Sequence, residues 1–120
     1  MFTRYTEGAR QVLFYARYEA SLLGAPVLET EHLWLGLLRQ NKKLVKRLAP
    51  QWTVERTQQR LLQRGHNRER VSMTVGIPLS EELRHALETA DAEATRRRQI
   101  YITEELLLLA LLGLIGDPAP

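Results

Sequence analysis

Two acidic residues stand where helices should begin, each directly after a threonine: Glu31 after Thr30 and Glu104 after Thr103. A carboxylate in the first turn of a helix is worth ~0.3–1 kcal/mol through the helix dipole. Residue type alone gives both glutamates that role, with Thr30 and Thr103 as N-caps. Arg56, Arg60 and Arg64 recur at i, i+4 and i+8 and so line one helix face. Such a stripe reads first as a solvated face. It could also meet nucleic-acid phosphates or an acidic adaptor, although no aromatic side chains interleave it. His32 lies one position into an apolar helix, His66 in a polar loop and His85 on a helix face. These three do not form a ligand spacing, so no metal site is expected. No nucleophile–base grouping or Gly-rich phosphate loop is evident, no cofactor is implied, and the absence of GxxxxGK[ST] means that this sequence is not itself an ATPase.

The elements that must hold these residues are helical. At 120 residues the chain makes one domain, with an ordinary 44% apolar and 26% charged composition. It has no cysteine, which is compatible with a reducing cytoplasmic setting. Its opening residues lack the apolar core of a signal peptide. The longest apolar run, Leu106 to Ile115, is about half of the roughly 20 residues a bilayer span needs, and reads as a buried helix. Net charge is +3, but residues 39–70 carry ten Lys or Arg against Glu55 and Glu69, a basic segment between two mildly acidic halves.

Taken in order, Thr6 caps a helix to about Leu23, with Ala9, Val12, Leu13, Ala16, Ala20 and Leu23 on one stripe and Gly24 as its stop. A second helix runs from Thr30 to about Arg39 with Leu33, Trp34, Leu37 and Leu38 inward, and Gly36 permits close approach of another helix. Lys42–Leu48 and Thr53–Arg64 form two shorter helices, separated by Pro50 and Trp52. Trp34 is expected in the core and Trp52 partly exposed. Residues 66–79 form a polar, exposed and mobile connection. Ser80 caps a fifth helix that repeats the stripe of the first, and a sixth runs from Thr103 to about Leu114. A shift of 74 positions matches Thr6 with Ser80 and Ala16 with Ala90. A shift of 73 then matches Thr30-Glu31 with Thr103-Glu104, implying a one-residue deletion in the second connection. The expectation is an all-α, pseudo-duplicated bundle of about six helices with a truncated second repeat. Repeat one spans about 1–64, a connecting loop about 65–79, repeat two about 80–115 and a tail 116–120.

The duplicated Thr30-Glu31-His32-Leu33-x-Leu35-Gly36-Leu37-Leu38 unit, together with the opening Phe2-x-Arg4-Tyr5-Thr6-Glu7-x-Ala9, resembles the N-terminal (Clp repeat) domain of Clp-type AAA+ unfoldases of the ClpA/ClpC group. The resemblance covers roughly Met1 to Leu112. It implies a non-catalytic, cytoplasmic, bacterial-type domain that passes substrate or adaptor proteins to a Clp ATPase ring, in cis or in trans. It further implies phosphoarginine recognition through Thr30, Glu31, Thr103 and Glu104: the carboxylate would take the guanidinium, and helix N-termini and arginines the phosphate. The same resemblance places Phe2, Tyr5 and Arg10 near a partner-binding surface. This sequence departs from the motif at Glu105, which stands for His32, at Leu109, which stands for the glycine, and at Ile102, where the family commonly has glycine. The last two of the usual eight helices are also missing. A small basic nucleic-acid-binding protein and a self-associating structural domain, pairing as a homodimer through helix six, are the competing classes.

Overall fold

A computed structural model describes residues 4–65 and 68–116. Among these described residues six α-helices follow one another: α1 (Glu7–Leu22), α2 (Thr30–Gln40), α3 (Lys42–Leu48), α4 (Val54–Gln63), α5 (Glu81–Arg96) and α6 (Glu104–Leu111). Among the described residues there is no strand, only two isolated bridges, Tyr5–Ile102 and Leu28–Leu79. Phe2 and His66 lie outside the described residues.

Four helices start where a short hydroxyl side chain satisfies an otherwise orphaned amide. Thr6 accepts from Ala9, Thr53 from Arg56, Ser80 from Leu83 and Thr103 from Leu106. Asn41 does the same for α3. Thr30 does not. The N-cap of α2 is Glu29, whose backbone N–H donates to His32 Nδ1 at 2.9 Å, and Thr30 is already helical. His32 is thereby the buried structural histidine that its position suggested.

That one-residue difference corrects the repeat. The helix starts Glu29 and Thr103 are 74 apart, as are Thr6 and Ser80. The bridges obey the same offset. Thr6 N–H donates to Ile102 O and Ile102 N–H to Arg4 O, while Ser80 N–H donates to Leu28 O and Leu28 N–H to Pro78 O. The ends of α1 and α5 agree as well: Ala25 N–H donates to Ala20 O and Gln99 N–H to Ala94 O. No residue is deleted in the second connection. Glu31 therefore corresponds to Glu105, Thr30 to Glu104 and Gly36 to Ala110.

At the centre is α2, with every residue from Glu31 to Leu38 buried, so its apolar residues are enclosed on all sides rather than along one face. It packs against all five other helices. Its crossing with α1 is the tightest: a Cβ on Gly36 would stand 2.2 Å from Val12 O and 3.2 Å from Ala16 N. Leu83, Leu87, Ala90 and Ala94 of α5 and Leu106–Leu108 of α6 complete the core. In contrast, α4 buries only Thr57 and Leu61.

Two further expectations change. The sixth helix stops at Leu111, because Gly113 takes a left-handed φ of 72° just beyond it. The connection before α5 is exposed but tied down: Arg68 N–H donates to Leu23 O, Val71 N–H to Ser21 O and Arg17 Nη2 to Met73 O.

Candidate ligand-binding cleft

The first Thr-Glu pair lies at the head of α2, where α4 and α5 approach it. Thr30, Glu31 and Trp34 from α2, Trp52 from the α3–α4 turn, Arg60 and Arg64 from the end of α4, Glu82, His85 and Ala86 from α5, and Ala110 and Leu111 from α6 line an open cleft of about 300 Å³. Trp34 and Trp52 stack at 4.4 Å between ring centroids, 6° from parallel, and form its flat apolar wall. Trp34 is core and Trp52 half-buried, as their sequence positions suggested.

Only 1% of the Glu31 side chain is exposed. Burying a lone carboxylate is costly unless a charge meets it. Here two guanidiniums do: Arg60 Nε lies 3.4 Å and Arg64 Nη2 3.1 Å from Glu31 Oε2. Thr30 Oγ1 donates to Glu31 Oε1 at 3.3 Å. Arg64 also reaches Glu29 at 3.5 Å, and Arg60 lies over the Trp52 ring at 5.2 Å. Two of the three stripe arginines are thus turned toward a buried acid rather than forming a purely solvated face. Spacing could show that Arg56, Arg60 and Arg64 share a face; it could not show that Glu31, some thirty positions earlier, lies beneath two of them.

The second Thr-Glu pair is arranged differently. Thr103 spends its hydroxyl oxygen on the Leu106 amide. Glu104 lies against α1: a Cβ on Gly8 would stand 2.4 Å from Glu104 Oε1, so a larger residue there would push this carboxyl aside. Its Oε2 is buried without a hydrogen-bond partner among the described residues. The true counterpart of Glu31, Glu105, is exposed and sits 3.8 Å from Arg47 of α3. The offset of 74 also relates Gly8 to Glu82. Glu82 lines the first cleft together with Thr30, whereas the corresponding positions of the second repeat are Gly8 and Glu104, where the acid comes from α6 instead of α5.

Of the residues suggested for partner contact, Tyr5 is 6% exposed, in the core beside Ile102, and its ring is not presented to solvent. Burial, with Asp91 nearby, pushes its phenol from 10.0 up to about 12. Arg10 is exposed and pairs with Glu7 at 2.8 Å. Arg4, quoted with the opening motif, is a staple: its guanidinium donates to Ile100 O, Gln99 O, Thr95 Oγ1 and the Asp91 carboxylate.

Among the described residues no group of three or more His, Cys, Asp or Glu could hold a metal ion, and no helix is long and apolar enough to cross a membrane. What the geometry defines is an all-α, internally duplicated domain with a charged, partly apolar cleft at the head of its central helix.

The sequence matches the model of the Clp repeat N-terminal domain over residues 4–115, and the chain belongs to that family. It is 32% identical over 117 residues to the chloroplastic chaperone protein ClpC of Pisum sativum, covering 93% of this chain and 12% of that protein. It is 28% identical over 117 residues to the negative regulator of genetic competence ClpC/MecB of Bacillus subtilis, covering 93% and 14% respectively. The chain thus spans about an eighth of the length of the ClpC proteins it matches. The fold is that of the N-terminal domain of the Arabidopsis thaliana caseinolytic-protease-associated chaperone ClpD, with a TM-score of 0.72 at 21% identity, over 97% of this chain and 80% of that one. The match thus falls on the N-terminal domain type carried by Clp chaperones and ATP-binding subunits of the Clp protease. Because the similar proteins include chloroplastic and bacterial ones, the resemblance does not fix one compartment or one kind of organism.

Proposed function

We propose that this domain is a non-catalytic recognition module, delivering substrate or adaptor proteins to a Clp ATPase–protease system, and that the Glu31 cleft takes an arginine-type group, phosphoarginine included. One observation carries the reading: a carboxylate buried to 1% exposure is met by guanidiniums of the chain's own arginines at 3.1 and 3.4 Å. A site that satisfies Glu31 in this way is chemically suited to a guanidinium from elsewhere, since planar guanidinium matches carboxylate geometry. Arg60 and Arg64 have the charge to receive a phosphate once drawn off Glu31, and the Trp34–Trp52 wall suits the aliphatic stem of an arginine. Thr103 and Glu104 would serve a second, non-equivalent contact at the α1–α6 junction. ATP hydrolysis and proteolysis belong to other modules, joined in cis or acting in trans.

The chain has two tryptophans, and both line the cleft. Tryptophan emission should therefore change saturably when an unfolded protein phosphorylated on arginine is added. The unphosphorylated protein should give this change only at higher concentration, and the Glu31→Gln domain should not give it. A folded domain whose emission is unmoved by the phosphorylated protein would overturn the assignment to this cleft.

A further inference from the structure

The site that would receive a ligand already has an occupant. We propose that α4 is a built-in latch, with Arg60 and Arg64 acting as an internal pseudo-ligand that closes the Glu31 carboxylate until an incoming group displaces them. The inference rests on the reading of the cleft as a receiving site.

Three observations converge. First, Glu31 is 1% exposed, yet the groups over it belong to side chains that are 48% and 44% exposed. The arginines that meet the buried acid therefore reach solvent on their other side. Second, α4 is held lightly. It buries only Thr57 and Leu61, it packs chiefly on α2, and Val54 and Leu62 face outward. Its C-terminal half is joined to the body by the buried Leu61 and by the Arg60–Glu31, Arg64–Glu31, Arg64–Glu29 and Arg60–Trp52 contacts. Third, the helix ends at once: Arg64 is its C-cap and Gly65 follows with φ 83° and nothing within 4 Å of its would-be Cβ. An element with few buried apolar contacts and a glycine at its end is drawn from the low-stability part of a fold.

A ligand guanidinium at Glu31 must replace these two arginines, so the apparent affinity is the intrinsic affinity multiplied by the fraction of time the latch is open. A ligand that also brings an anion has an advantage over a bare guanidinium, because it offers the displaced arginines a new partner. Arg60 and Arg64 are thus specificity-determining residues as well as a gate.

The test uses two variants and two readouts, with circular dichroism confirming the fold. In Glu31→Gln, amide exchange across residues 54–63 should rise at least tenfold while α1 and α5 stay protected. Unchanged exchange would overturn the latch. In Arg60→Gln/Arg64→Gln, or the milder Arg64→Gln alone, free L-arginine amide should bind at least tenfold tighter than to the intact domain, and phosphoarginine should lose most of its advantage over it. Where the intact domain binds either probe, equal or weaker L-arginine amide binding by the variants would overturn the proposal and make the two arginines ordinary ligand contacts or bystanders. Loosened α4 in Glu31→Gln with no binding of either probe by any form would support the clasp and sink the reading of the cleft as a receiving site.

Discussion

Arg98 holds a left-handed backbone, φ 58°, at the position that Gly24 occupies with φ 57° in the first repeat. Both residues close the same helix-ending motif, with Gly24 N–H donating to Ser21 O and Arg98 N–H to Thr95 O. A side chain in that conformation costs about 1–2 kcal/mol, offset partly by the larger chain entropy of glycine. Arg98→Gly should therefore stabilise the domain by roughly 0.5–1 kcal/mol, read as a higher urea midpoint. Gly24→Ala should do the reverse and more strongly, because a Cβ there would also meet Glu69 O at 2.2 Å.

Gly36 sets the distance between α1 and α2. Its Cβ position lies 2.2 Å from the Val12 carbonyl, which is backbone and cannot swing aside. Gly36→Ala should cost about 1–3 kcal/mol through overpacking, measured by chemical denaturation. The corresponding crossing of α5 and α6 already carries Ala110, so Ala110→Gly should change stability far less than Gly36→Ala.

Acidification should act through Glu93. Arg96 and then Arg97 hold its carboxyl below the usual carboxylate range, and its side chain is 4% exposed. A depressed folded-state value means stability that is present above the unfolded carboxylate pKa and lost as pH falls through the folded one. Glu93→Gln should lower the thermal midpoint at pH 7 and flatten its decline below about pH 4.5.

Alkali should act through Tyr5 with the opposite sign. Its phenol is pushed from 10.0 up to about 12, first by burial and then by Asp91. The neutral form is the one the fold accepts, so stability is full below pH 10.0 and falls as pH rises toward about 12. Tyr5→Phe should remove that part of the alkaline limb, seen by comparing urea midpoints of the two proteins between pH 9 and pH 12.

Much of this architecture was legible in the sequence because caps and stripes are local signals. Thr6, Thr53, Ser80 and Thr103 announce their helices, and Ala9, Val12, Ala16 and Ala20 announce a buried face. The register of the second repeat was misread because matching Thr-Glu with Thr-Glu compares residue types, whereas the fold aligns helix starts. Glu29 is an unpromising cap by type, and its role depends on His32 turning back to its amide. The closure of Glu31 by Arg60 and Arg64 was not legible, since an ion pair across about thirty residues leaves no periodic trace. Nor was the placing of the Glu104 carboxyl against Gly8, with its Oε2 buried, which depends on how α1 meets α6.

The most direct measurement is calorimetric titration of free phosphoarginine into the intact domain, Glu31→Gln and Arg60→Gln/Arg64→Gln. A recognition cleft built on Glu31 requires saturable binding to the intact domain that is abolished in Glu31→Gln while the fold persists. Absence of binding to both the intact domain and Arg60→Gln/Arg64→Gln, or undiminished binding to Glu31→Gln, would contradict it.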